Sequence, residues 1–151
     1  MKLGTRADIE DKNSITPLHY AVQQGHEEVA KILINAGANV NKKMSPEQWE
    51  WTPLHVAVKY KFVEMVRLLV QNGADINAKD AHGGTPLRNA TENTYSDNED
   101  HQNPIIDFLL HNGANWLEGR CCTKCLGEMD YLPKDLAKKM TIIEIPSAKV
   151  E

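Results

Sequence analysis

"TPLHYAVQQGHEEVAKILINAGANVN", residues 16–41, returns almost verbatim as "TPLHVAVKYKFVEMVRLLVQNGADIN", residues 52–77. A third copy opens with "TPLRNATEN" (85–93) and closes with "IIDFLLHNGANW" (105–116). Thr16 and Thr52 are 36 residues apart, and Thr52 and Thr85 are 33 apart. Self-similarity at such a step marks a repeat architecture. In each copy the threonine suits a helix N-cap, and the proline suits the first helical position, where no N–H is needed. Leu18, Ala21 and Val22 then fall at i, i+3 and i+4, one apolar face of a short helix. Gly25 can take the left-handed conformation that ends it. A second helix is predicted next, with Val29, Ile32 and Leu33 as its apolar stripe and Gly37 as its stop. The next copy has Leu54, Ala57 and Val58, then Val66, Leu68, Leu69 and Gly73. "ANVN" and "ADIN" lead into short extended arms. One such unit cannot bury so small an apolar face alone, so neighbouring copies must stack.

A period of 33 headed by T-P-L-H-x-A resembles the ankyrin repeat, over about residues 5–116. "YLPKDLAKKM" (131–140) is a weaker echo of a fourth, degenerate unit. The resemblance implies an all-α fold: an ankyrin-repeat solenoid of stacked helix-turn-helix units with projecting β-hairpin-like arms. The whole chain, 1–151, is expected to form one domain. Its parts would be a partial arm (5–15), repeats at 16–47, 48–80 and 81–116, a degenerate C-terminal cap (117–145) and a tail (146–151). The resemblance also gives His19 and His55 a structural task, bonding within and between repeats, in place of a catalytic or metal role. Arg88 stands where the third copy would carry that histidine.

Four places depart from the pattern. "KKMSPEQWEW" (42–51) is three residues longer than the matching "AKDAHGG" arm (78–84) and brings Trp49 and Trp51. Lys61 replaces the helix-ending glycine, with Phe62 after it. "TYSDNEDHQN" (94–103) adds seven residues between the helices of the third copy. "LEGRCCTKCLGEMD" (117–130) makes another long excursion. Insertions in repeat proteins fall in loops and spare the stacked core.

None of these departures builds a metal site by sequence. Asp97, Glu99 and Asp100 lack the ligand spacing and distal glutamate of an EF-hand loop. Cys121, Cys122 and Cys125 hold one C-x-x-C, but structural zinc needs four ligands. His101 or His111 would have to fold back to complete a set, so loop thiols are expected, with no metal and no cofactor. The sequon "NAT" at 89–91 falls inside a predicted helix and reads as accidental.

The net charge of −4 is modest, and the basic residues are dispersed, so nothing points to nucleic acid. No apolar run approaches the roughly 18 residues of a membrane span. "MKLGTRADIEDK" turns charged at once and has no apolar core, so no signal peptide is expected. An odd, clustered set of three cysteines makes a poor disulfide framework, which favours a reducing compartment. An intracellular, cytoplasmic location is the expectation, though a bacterial protein exported into a host without a leader would read the same. In the first copy Gln23, Gln24, Glu27, Glu28 and Lys31 are expected to supply a polar cap.

No nucleophile elbow, phosphate loop or H-E-x-x-H is present, so a non-catalytic chain is expected. The resemblance implies a monomeric module that binds another protein on its concave face, through the arm tips and the ends of the first helices. Those positions are Asn13, Ile15, Gln23 and Gln24, then Trp49, Trp51, Lys59 and Tyr60, then His82, Glu92 and Asn93. Trp49 and Trp51 have two readings, exposed anchors or covers folded back over the arm. Two other roles stay open, a spacing segment of a longer array and an inhibitor or effector that sequesters a regulatory or host protein. The resemblance also makes Asn77, preceded by Leu69, Asp75 and Ile76, a candidate for asparaginyl hydroxylation. The plainer expectation is that its amide bonds turn backbone.

Overall fold

The computed structural model describes residues 4–92 and 104–115. The interruption at 94–103, the thiols Cys121, Cys122 and Cys125, the fourth unit and the tail lie outside those residues. Among the described residues seven α-helices follow in order: α1 (Gly4–Ala7), α2 (Pro17–Gln23), α3 (Glu27–Asn35), α4 (Pro53–Lys59), α5 (Val63–Gln71), α6 (Pro86–Glu92) and α7 (Pro104–His111). The helices after α1 form three pairs, α2 with α3, α4 with α5, and α6 with α7. The first helices stack α2–α4–α6, and the second helices stack α3–α5–α7. No strand occurs among the described residues.

Each first helix starts as its sequence requires. Thr16 sits in extended backbone before Pro17, and Thr52 does the same before Pro53. The left-handed stop is equally regular. Gly25 has φ +71°, with its N–H on Val22 O and the next N–H on Ala21 O. Lys61 holds the same place at φ +59°, with its N–H on Val58 O and that of Phe62 on Ala57 O. A lysine therefore adopts the conformation that glycine takes one unit earlier. The core runs through the stack as Leu18, Leu54 and Leu87, all fully buried, flanked by Val22, Val58, Met65, Val66 and Leu69.

The second helix of the first unit departs from expectation. In α3 the buried residue is Ala30, Leu33 is half-buried, and Val29 and Ile32 are exposed. The predicted stripe was thus rotated, and the expected polar cap is broken by two aliphatic side chains. One unit later the counterparts of those two residues are Met65, fully buried, and Leu68, half-buried. The difference is positional: α5 has α3 packed beside it.

The arms are turns without a β-ladder. Asp80 N–H bonds Gly84 O, and its Oδ1 accepts the N–H groups of His82 and Gly84. Asp11 does the same with Ile15 O and the N–H groups of Asn13 and Ile15. The left-handed residue of the turn is Gly83 in one arm and Ser14 in the other. The turn at residues 11–15 is therefore in register with that at 80–84, whereas Gly4–Ala7 form a helix where residues 73–76 do not.

Candidate interaction face

Two buried histidines hold the first helices to the arms. Thr16 N–H donates to His19 Nδ1 at 3.2 Å, and His19 Nε2 lies 3.3 Å from Trp51 O in the next arm. Thr52 and His55 repeat the arrangement, with Nε2 3.3 Å from Gly84 O. A ring that accepts at Nδ1 and donates at Nε2 is neutral. Burial pushes His19 down from 6.5 to about 4, and it lowers His55 as well. Both are fully buried, so they serve as ties and expose no reactive nitrogen. In the third unit Thr85 Oγ1 caps the N–H of Arg88.

Asparagines tie the other edge. Asn41 Nδ2 donates to Gly73 O, and its Oδ1 accepts from Asp75 N. Asn77 does likewise with Gly113 O and Asn115 N. Asp8 takes the first such place, accepting from Asn39 N at 2.9 Å. The Asn77 amide thus bonds turn backbone, that of the following unit. A signal for this was present in the 36-residue spacing of Asn41 and Asn77.

The long second arm separates the two tryptophans. A single 3₁₀ turn at Pro46–Gln48 ends with Trp49 at φ +65° and Glu50 at φ +51°. Two successive left-handed L-residues cost about 1–2 kcal/mol each, and surrounding bonds hold them. Ser45 N–H donates to Asn13 O in the first arm, and Ala81 N–H of the third arm donates to Trp49 O. Lys43 pairs with Glu50 at 3.1 Å. This geometry turns the Trp49 ring outward, 53% exposed, with its centroid 4.9 Å from the exposed His82 ring at 52°. Trp51 turns in: it is half-buried, and its indole nitrogen is buried without a hydrogen-bond partner among the described residues.

Tyr60, the C-cap residue of α4, is 46% exposed. Gln23 Nε2 of the first unit donates to its hydroxyl at 3.3 Å. Its ring stacks on Phe62 at 6.0 Å and 17°. Lys59 and Gln24 are exposed and Gln23 is half-buried, while Asn13 and Ile15 are half-buried in the first arm. Glu92 ends α6, its side chain lying outside what is described, and Asn93 lies outside altogether. Within the sequence-predicted set the structure brings together Trp49 with His82 and Tyr60 with Gln23, and it withdraws Trp51. Phe62 was missed as a support of Tyr60.

The repeat, its paired helices and its histidine and asparagine ties are now accompanied by a family match. The ankyrin-repeat model matches residues 13–45 and 49–81. The chain is an ankyrin-repeat protein. Ankyrin repeats generally serve as protein–protein interaction modules and are typically non-catalytic. The third helix pair of this ankyrin-repeat protein lies beyond both matched segments. A 40-residue stretch is 50% identical to alpha-latrotoxin-Lt1a of Latrodectus tredecimguttatus. It covers 26% of this chain and only 3% of that protein. Among the described residues no helix is long and apolar enough to cross a membrane. Among them, too, no three His, Cys, Asp or Glu side chains gather as metal ligands would.

Proposed function

We propose that this ankyrin-repeat protein acts by binding another protein, without catalysis, on the face formed by Trp49, Tyr60, His82, Lys59, Gln23 and Gln24. The observation that carries the reading is the outward Trp49 ring, held on a strained arm tip against His82. Exposed aromatics on a rigid scaffold lose little side-chain freedom on binding. Trp and Tyr dominate interface energies, and a hot spot costs about 2 kcal/mol or more on truncation. Tyr60 is similarly preorganised by Gln23 and Phe62. Trp51 does not contribute, because its ring is committed to the arm. The clustered thiols support an intracellular setting for this activity.

Cross-linking mass spectrometry on the full chain would identify the partner, and alanine variants would then locate the face. Trp49→Ala and Tyr60→Ala should each weaken the partner's Kd about tenfold or more, while melting holds. Cross-links confined to the second helices, with both variants binding normally, would place the partner elsewhere.

A further inference from the structure

α2 closes with Gln23 and its C-cap Gln24, α4 closes with Lys59 and its C-cap Tyr60, and the two helices pack on each other. The Tyr60 hydroxyl oxygen accepts from Gln23 Nε2 at 3.3 Å. Its own hydrogen is therefore left to donate, and no acceptor takes it among the described residues. Lys59 is exposed and has no carboxylate partner among the described residues. The arm carboxylates Glu10 and Glu50 are by contrast paired, with Lys42 and Lys43, and Glu28 and Glu64 of the second helices pair with Lys31 and Arg67. The exposed Gln24 amide makes no bond among the described residues. A helix C-terminus carries a partial negative charge, roughly half an elementary charge, which repels an anion unless a cation outweighs it. The place of Lys59 is held by Gln23 in the first unit and by Glu92 in the third, so the second unit alone offers that cation. A chain of net charge −4 works against a long polyanion, so the charge pattern suits a single acidic side chain rather than a phosphate backbone.

We infer that the partner docks an aspartate or glutamate carboxylate on Lys59 Nζ and the Tyr60 hydroxyl, with the Gln24 amide as a further donor. A carboxylate accepts several hydrogen bonds at once, and those from an ammonium are charge-assisted and the stronger for it. The inference names the partner's chemistry for the face proposed above and rests on that reading. Within it Trp49 is the apolar anchor, and the Lys59–Tyr60 pair supplies the discrimination between an acidic partner and a neutral one.

The test selects random peptides on the immobilised full chain and measures the enriched ones in solution. Enriched peptides should share an acidic residue, and exchanging it for the matching amide should weaken the Kd about tenfold. Lys59→Gln in the protein should weaken it by the same factor. Both changes together should cost no more than either alone, since they remove one interaction. Tyr60→Phe, which keeps the ring and removes the hydroxyl, should weaken binding several-fold. Thermal melts of Lys59→Gln should match the parent, which separates lost affinity from lost fold. Enriched peptides without a carboxylate, losses that simply add, or no enrichment at all would overturn the inference. Peptides that need Trp49 but ignore Lys59→Gln would overturn it and leave the proposed face standing. Peptides indifferent to Trp49→Ala, Tyr60→Ala and Lys59→Gln alike would sink both.

Discussion

The tip of the Phe62 ring of the second unit packs against Gly25 of the first: a Cβ added at Gly25 would stand 3.0 Å from Phe62 Cζ. The contact joins two departures from the repeat, since Phe62 follows Lys61 where the first copy has Gly25 and His26. Gly25 is thus needed twice, for its positive φ and for the absence of a side chain.

Gly25→Ala should cost about 2–3 kcal/mol, of which about 1–2 is the left-handed backbone. Gly73→Ala, at φ +86° with nothing within 4 Å of an added Cβ, should cost only the backbone part. Urea denaturation of both variants checks this. Equal losses would show that the ring moves aside freely.

Lys61→Gly should stabilise the protein by roughly 0.5–1 kcal/mol. Lysine at φ +59° carries the left-handed penalty, which glycine escapes while losing more backbone entropy on folding. A midpoint in denaturant that stays put or falls would mean the lysine side chain contributes at the helix end what its backbone loses.

Acid should unfold the chain through His19 and His55. Each has its folded pKa depressed, so the unfolded chain binds the proton first as pH falls. Their stabilisation is fully present above about 6.5 and is lost as pH drops; for His19 the loss ends near 4. The His19 share is on the order of 3 kcal/mol, from the interval between 6.5 and about 4. Thermal melts from pH 7.5 to 4 should fall across this window. His19→Ala should lower stability at pH 7.5 and flatten the decline.

The two tryptophans should separate in stability as they do in orientation. Trp51→Ala should cost about 2 kcal/mol or more, through loss of half-buried ring contacts. Trp49→Ala should change stability by about 0.5 kcal/mol or less, since its ring is exposed and lies against exposed His82. Comparable losses in calorimetry would mean that both rings cover the arm.

Removing the inter-unit tie at Asn41→Ala should cost about 1–2 kcal/mol, because two hydrogen bonds are lost together. Hydrogen exchange should report it locally, with the Asp75 amide losing protection before the core of α4 does.

Much of this molecule was legible one residue at a time. The threonine–proline starts, the glycine stops and the buried row of Leu18, Leu54 and Leu87 depend on interactions within a turn or two, or on a pattern that repeats. Local chemistry is written locally, so the helix pairs and their stacking could be read from the chain. The left-handed Lys61 was legible for the same reason, because its counterpart one unit earlier is Gly25.

Tertiary structure alone decided the exposure of particular side chains. Val29 and Met65 occupy the same place in the same helix, yet one faces solvent and the other lies in the core, because burial depends on which unit packs ahead. Trp49 and Trp51 are two residues apart in one arm. Their opposite fates follow from the left-handed pair at Trp49 and Glu50 and from bonds to Asn13 and Ala81 in the flanking arms. Periodicity specifies which residues share a face. Only the neighbouring units determine whether that face is covered.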